Sequence, residues 1–244
     1  MTPRNASVAI IGAGDFIGSA IAERFAAEGY LIYAGRRTAD KLQTLKDKIE
    51  AAGGRCIARG LDARVEEDIA AFIAEAEAAA PLEVVIFNPG ANVNFPILET
   101  TERVFRKVWE MACYGGFLTG REAARHMLEH GQGSMFFTGA TASLRGGVGY
   151  AAFASAKFGL RAVAQAMARE LGPKNIHVAH LVIDSGVDTA WVRERRRAAG
   201  GGEITEPDQL MNPSSIADAY WTLHTQHRDG WTHELDLRPY GERW

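Results

Sequence analysis

Between residues 8 and 237, short apolar runs rich in β-branched residues alternate with longer stretches of helical periodicity, and few architectures accept that alternation. Runs such as Val8-Ala9-Ile10-Ile11 and Val84-Val85-Ile86-Phe87 carry no polar face, so the strands they form must be covered on both sides. Strands are expected near 8–11, 31–34, 55–59, 84–87, 134–137, 176–183 and 234–237, with helices over 17–28, 41–51, 66–79, 102–128, 150–171 and 213–225. The reading is an α/β chain, a doubly wound Rossmann fold whose parallel sheet has helices on both faces. A length of 244 residues with 47% hydrophobic content suits one core, hence a single domain over 1–244. The stretch 102–128 is too long for one ordinary helix, and Gly115-Gly116 inside it predicts a break or a close packing contact. The one long irregular connection, 185–212, carries Arg193-Glu194-Arg195-Arg196-Arg197 and then Gly200-Gly201-Gly202, and is expected to be a lid over the site.

Charge and cysteine content narrow the function. Twenty-seven Lys and Arg against thirty Asp and Glu leave a net charge of -3, which offers no general attraction to nucleic acid or to an anionic membrane. A small-molecule ligand is expected instead. Cys56 and Cys113 lie far apart and outside any metal-ligand spacing, and the seven histidines form no HExxH pair, so no metal site is expected. The polar start of the chain runs straight into the first strand without an apolar leader, so a cytoplasmic protein is expected.

The first strand flows into Gly12-Ala13-Gly14-Asp15-Phe16-Ile17-Gly18 and then into a helix. Gly12, Gly14 and Gly18 let the backbone turn tightly and approach a pyrophosphate, while the N–H groups at the helix start, near Phe16 and Ile17, present partial positive charge to it. An acidic residue ending the second strand would take a ribose 2′-hydroxyl; here that strand ends in Gly35-Arg36-Arg37, and guanidinium groups suit a 2′-phosphate. NADP(H) is therefore expected over NAD(H), with Arg36 first and Arg37 beside it. After the third strand, Asp62, with Ala63 next to it, places a carboxylate where an adenine amino group can donate.

These residues, with Asn88-Pro89-Gly90-Ala91 after the fourth strand, Lys157 in the long helix and Thr189 after the sixth strand, make the chain resemble the short-chain dehydrogenases/reductases over nearly its whole length. The resemblance implies a seven-stranded parallel sheet, a nicotinamide cofactor along its C-terminal edge touched also by Asn88, Lys157 and Thr189, and a homodimer or homotetramer packed through the two long helices. In that family a tyrosine four residues before the lysine is the acid/base, a serine thirteen residues before the tyrosine polarises the carbonyl, and an asparagine in the preceding helix holds a relay water. The matching positions here are Phe153, Ala140 and Ala112. Phe16 stands where the family has its middle glycine, and Asp184-Ser185 replaces its Pro-Gly.

Phenylalanine supplies no proton and alanine no hydrogen bond, so the family's usual mechanism does not carry over. Lys157 keeps a role beside the nicotinamide ribose. Tyr150 shares a helical face with Phe153, Ala154 and Lys157 and is a candidate acid; Thr141, next to the vacated serine position, can offer a hydroxyl to an oxyanion. The favoured reading is an NADP(H)-dependent oxidoreductase with a non-standard proton-transfer site, acting on a small carbonyl-like compound or activated alkene. The alternative is a non-catalytic NADP(H)-binding sensor or partner protein.

Overall fold

The computed structural model describes residues 2–198, 200 and 209–242. One sheet contains β1 (Ser7–Ile11), β2 (Leu31–Arg36), β3 (Arg55–Gly60), β4 (Leu82–Phe87), β5 (Gly133–Thr138), β6 (Ile176–Ile183) and β7 (Glu234–Leu237), in the order β3-β2-β1-β4-β5-β6-β7. Every pairing is parallel. The helices are α1 (Ile17–Ala27), α2 (Gln43–Ala51), α3 (Glu66–Ala79), α4 (Glu102–Trp109), α5 (Gly115–His130), α6 (Ala151–Leu171), α7 (Ala190–Ala198) and α8 (Pro213–His224). The expected seven-stranded, doubly wound architecture is the one observed.

The period-two geometry of a strand explains why the apolar runs are unbroken. Along β1, Val8 and Ile10 join the core layer of Ile21 and Phe25 from α1 and Ile216 and Tyr220 from α8. Ala9 and Ile11 join the opposite layer, with Ile69 and Ile73 from α3, Leu118 from α5 and Leu160 from α6. Each residue of the strand is buried, so both faces must be apolar. β1 lies between β2 and β4; the chain leaves β1 for β2 on one side and β4 for β5 on the other, and these diverging connections open a crevice at the carboxyl ends of β1 and β4.

Two expected elements differ in detail. Over 102–128 the path changes in a π-helical turn, Glu110–Tyr114, just before the glycine pair, while the pair itself makes the close contacts. A Cβ on Gly115 would lie 2.6 Å from the Ala63 carbonyl oxygen, and one on Gly116 would lie 2.3 Å from Leu160 Cδ1. Within 185–212, the Arg-rich segment forms α7, whose first turn is capped by Thr189 Oγ1 accepting from Val192 N at 3.1 Å. The two ends of this connection meet: Val187 bridges Met211, Met211 N donates to Gly186 O at 2.9 Å, and Asp188 N donates to Met211 O at 2.8 Å. Gly201 and Gly202 lie outside the described residues. Among the described residues no helix is long and apolar enough to cross a membrane.

The Gly115 contact gives a test of the fold. Gly115→Ala must push α5 away from the Ala63 backbone, so it is expected to cost about 1–3 kcal/mol. Thermal unfolding should show a lowering of Tm by roughly 2–4 °C for each of those kcal/mol.

Candidate functional site

Two adjoining cavities run along the carboxyl edge of the sheet, an inner one of about 600 Å³ and an outer one of about 410 Å³, and Gly14, Asn88 and Gly90 line both. The turn after β1 forms their common floor. Gly12 has φ +83°, and a Cβ there would sit 3.0 Å from Pro89 N. A Cβ on Gly18 would lie 2.5 Å from the Gly12 carbonyl oxygen. Both glycines are thus required by the chain's own packing. Gly14 is different, because a Cβ there would meet nothing within 4 Å and would point into open space. Beside it, α1 begins at Phe16 with no side chain capping its first turn and no acidic residue in that turn. The chain's own packing does not call for a glycine here, and an uncapped helix start with a bare backbone beside it suits an anionic group.

Asn88 has a structural task as well as a place in both cavities: its Nδ2 donates to the Gly12 carbonyl at 2.9 Å and holds the turn to the end of β4. In the outer cavity Arg36 ends β2, as expected, together with Arg37, Thr38 and Lys41. Arg36 Nη1 donates to Asp15 Oδ1 at 2.7 Å, a partner that sequence reasoning missed because Asp15 lies on the neighbouring turn. Asp62 also lines this cavity, but Arg64 grips its carboxylate from two residues away, with Nε 2.9 Å from Oδ1 and Nη2 2.5 Å from Oδ2. That fork holds the Asp62 carboxyl below the usual carboxylate range. The Arg64 backbone N–H also donates to Oδ1 at 3.0 Å and Nε lies 3.2 Å from Oδ2, so a further donor at Asp62 must share or displace one of these contacts.

The inner cavity collects Thr141, Tyr150 and Lys157, together with Phe16, Ile17, Gly18 and Thr189. Lys157 is 3% exposed, and its Nζ donates to Thr138 O at 2.8 Å and to Pro89 O at 3.1 Å. Burial pushes its ammonium down to about 8. Phe153 packs beside it, with the ammonium 5.9 Å from the ring centroid, and Ala140 completes an apolar wall. Tyr150 precedes α6 rather than opening it, and its hydroxyl oxygen accepts from Arg195 Nη2 at 2.9 Å. The residues nominated from the sequence therefore converge on the two cavities: Gly12, Arg36, Arg37, Asp62 and Ala63 on the outer, the rest on the inner or on both.

Behind the inner wall lies a group the sequence reading left without a role. The Asp184 side chain is 3% exposed; Arg238 Nε donates to it at 2.9 Å and Arg145 Nη1 and Nη2 approach it at 3.4 and 3.3 Å. Burial works to raise this carboxyl, but hydrogen bonds from Thr141 and Arg238 and the charges of Arg145 and Arg238 outweigh it and hold the pKa below the usual range. A carboxylate closing the buried strand β6 must be paired, and that requirement was the available signal in Val182-Ile183-Asp184.

Comparisons with known proteins agree with this fold. Residues 6–200 match the family model described as short chain dehydrogenase. The crystal structure of a short-chain dehydrogenase from Rhodopseudomonas palustris is 61% identical, covers 98% of this chain and 100% of that one, and superposes with a TM-score of 0.85. The short-chain reductase protein NovJ of Streptomyces niveus is 28% identical over 235 residues, 96% of this chain and 87% of its own. An alcohol dehydrogenase from Thermococcus sibiricus, solved in complex with 5-hydroxy-NADP, is 25% identical, covers 98% of each chain and has a TM-score of 0.83.

The Lys157 environment predicts a pH dependence of stability. Below about 8 the folded and unfolded states both hold the proton and the folded state bears the full cost of the buried charge; between about 8 and the ordinary 10.5 the folded state releases its proton first. Stability should therefore rise with pH across that window, by up to about 3 kcal/mol. Denaturant titrations at a series of pH values should show this rise in the parent and its loss in Lys157→Met.

Proposed function

The chain belongs to the short-chain dehydrogenase family, and within that family we propose that it is an NADP(H)-dependent oxidoreductase with a non-standard proton-transfer site, acting on a small carbonyl-like compound or activated alkene. The observation that carries the cofactor reading is the bare backbone at Gly14 beside the uncapped start of α1, continued outward by Arg36, Arg37 and Lys41. Gly12, Gly14, Phe16, Ile17 and Gly18 would hold the pyrophosphate, Arg36 and Arg37 the 2′-phosphate, Asp62 and Ala63 the adenine edge. Asn88, Lys157 and Thr189 would hold the inner ribose and carboxamide. Bound there, the nicotinamide supplies hydride to an acceptor carbon. The Thermococcus sibiricus enzyme's complex with an NADP derivative favours the same phosphorylated cofactor.

The chain's own part is binding, orientation and proton supply. Lys157 keeps a cation in a dry pocket where charge is weakly screened. Thr141 stands beside the acceptor, but its one hydroxyl proton is given to Asp184, so the proton donor is Tyr150, whose oxygen accepts from Arg195 and which keeps its own proton for a substrate oxygen. Phe153 and Ala140 shape the wall without touching the proton. The part of 185–212 that lines the cavity, from Ser185 to Val192, acts as the cover. Trp109, Tyr114 and Phe117 stack in a ridge across α4 and α5 with Phe158 exposed on α6, and we assign that face to a homodimer or homotetramer contact in a cytoplasmic enzyme. The second reading, a non-catalytic NADP(H)-binding sensor or partner protein, is favoured by Phe153 and Ala140 standing in the cleft.

Titration of the protein with NADPH and NADH, followed by tryptophan-to-nicotinamide energy transfer, tests the cofactor assignment. NADPH should bind at least about tenfold tighter, and Arg36→Ala should bring the two within a few-fold, as loss of a charge-assisted phosphate contact implies. Equal binding of both by the parent would remove the case for NADP(H), and no binding of either would remove the function. A second measurement addresses catalysis: Phe153→Tyr with Ala140→Ser should raise NADPH oxidation over a ketone panel by roughly 10²- to 10⁴-fold. Complete inactivity of the parent toward ketones and activated alkenes would favour the sensor.

A further inference from the structure

We propose that the inner cavity carries a subsite for a substrate carboxylate, with Arg145 as the residue that meets it; this rests on the nucleotide occupying the glycine-turn side of the cleft. With that side filled, the space left to a substrate lies between Ala140, Ala142, Phe153, Val187 and Val192. Those walls are apolar and suit a small hydrocarbon or aromatic body. At their rim stands Arg145, on the loop that joins β5 to α6, with its side chain 59% exposed.

The way Arg145 is held separates a recognition role from a stabilising one. Among the described residues its ion-pair partner is Asp184, and the contacts of 3.3 and 3.4 Å are long for a charge-assisted hydrogen bond, whose usual span is about 2.7–2.9 Å. Asp184 is meanwhile met by Arg238 at 2.9 Å, and the Thr141 hydroxyl helps to keep it ionised. The buried carboxylate therefore aims the guanidinium without saturating it. Asp184 is buried, but Arg238 already pairs with it, so the long contact to the exposed Arg145 guanidinium adds little further to folding stability. A guanidinium has five N–H donors in a planar fork that matches a carboxylate, so the edge of Arg145 turned away from Asp184 is the part available to a ligand.

The charge around the cleft points the same way. Lys157 lines the inner cavity, and Arg195 reaches its rim through the Tyr150 hydroxyl. Among the described residues that line the cavity the one carboxylate is Asp15, which sits on the glycine turn and is paired to Arg36. Positive charge over low-dielectric walls raises the local concentration of anions and leaves the Arg145 side of the cleft selective for them.

Two matched probe pairs test the subsite: 4-oxopentanoate against 4-oxopentanamide, and 4-oxo-4-phenylbutanoate against its amide. Each is titrated calorimetrically into the protein saturated with NADP⁺ and into the nucleotide-free protein. The acids should bind at least about tenfold tighter than the amides, and Arg145→Gln should shrink that ratio to about twofold or less while leaving NADP⁺ affinity unchanged. Arg145 is largely exposed, and Arg238 keeps the buried Asp184 carboxylate paired without it, so the variant should fold as the parent does. Parity of acid and amide in the parent, failure of both acids to bind, or full discrimination retained by Arg145→Gln would overturn the subsite. Loss of NADP⁺ binding in the parent would strike the cofactor reading instead, and the nucleotide-free arm would still report whether Arg145 selects the carboxylate.

Discussion

A single side-chain hydrogen bond joins the two strands between which the cleft opens: Asn88 Nδ2, just past β4, donates to the Gly12 carbonyl, just past β1, at 2.9 Å. The backbone at Gly12 adopts φ +83° and packs against Pro89, so the turn and the β4 exit lock into one another. Gly18 brings α1 down onto the same carbonyl. Helix start, strand end and neighbouring loop are thereby fixed in mutual position before any ligand arrives, which is the preorganisation that cofactor sites require. If this clamp were loosened, both cavities would lose their shared floor at once.

The two ends of the cleft differ in electrostatic character. Outside, Arg36, Asp15, Asp62 and Arg64 form pairs close to water, where charges are readily exchanged for those of a ligand. Inside, Lys157 is sealed beneath Phe153 and held by two carbonyls, and Asp184 is sealed behind Thr141. Charges in such places are costly to bury and are kept only where their partners are already oriented. The outer end is built for exchangeable binding, the inner end for fixed geometry.

Much of this was legible in the sequence because it is local. The apolar runs gave the strands, and the glycine turn between a strand and a helix gave the floor of the cleft, since both signals lie within a dozen residues. Arg36 was legible because it directly follows a strand. The remainder depends on contacts that span the chain. Arg36 with Asp15, and Asp184 with Arg145 and Arg238, join residues 21, 39 and 54 positions apart. The π-helical turn at Glu110–Tyr114 immediately precedes the close packing of α5 on Ala63, a contact between residues far apart in sequence, and no side-chain pattern announces the turn. The helix α7 buries no residue, so it lacks the apolar stripe by which the other helices are recognised.

The pairing of Val187 with Met211 acts as a staple at the foot of the connection whose first residues line the inner cavity. Because the two backbone hydrogen bonds of this bridge already bring its two ends together, the entropy of closing that excursion is settled at the staple. For a flexible excursion, each doubling of the length beyond it would add only about 0.6 kcal/mol. A change in the length or composition of that excursion is therefore felt at the wall of the inner cavity, which its first residues line, more than in the sheet.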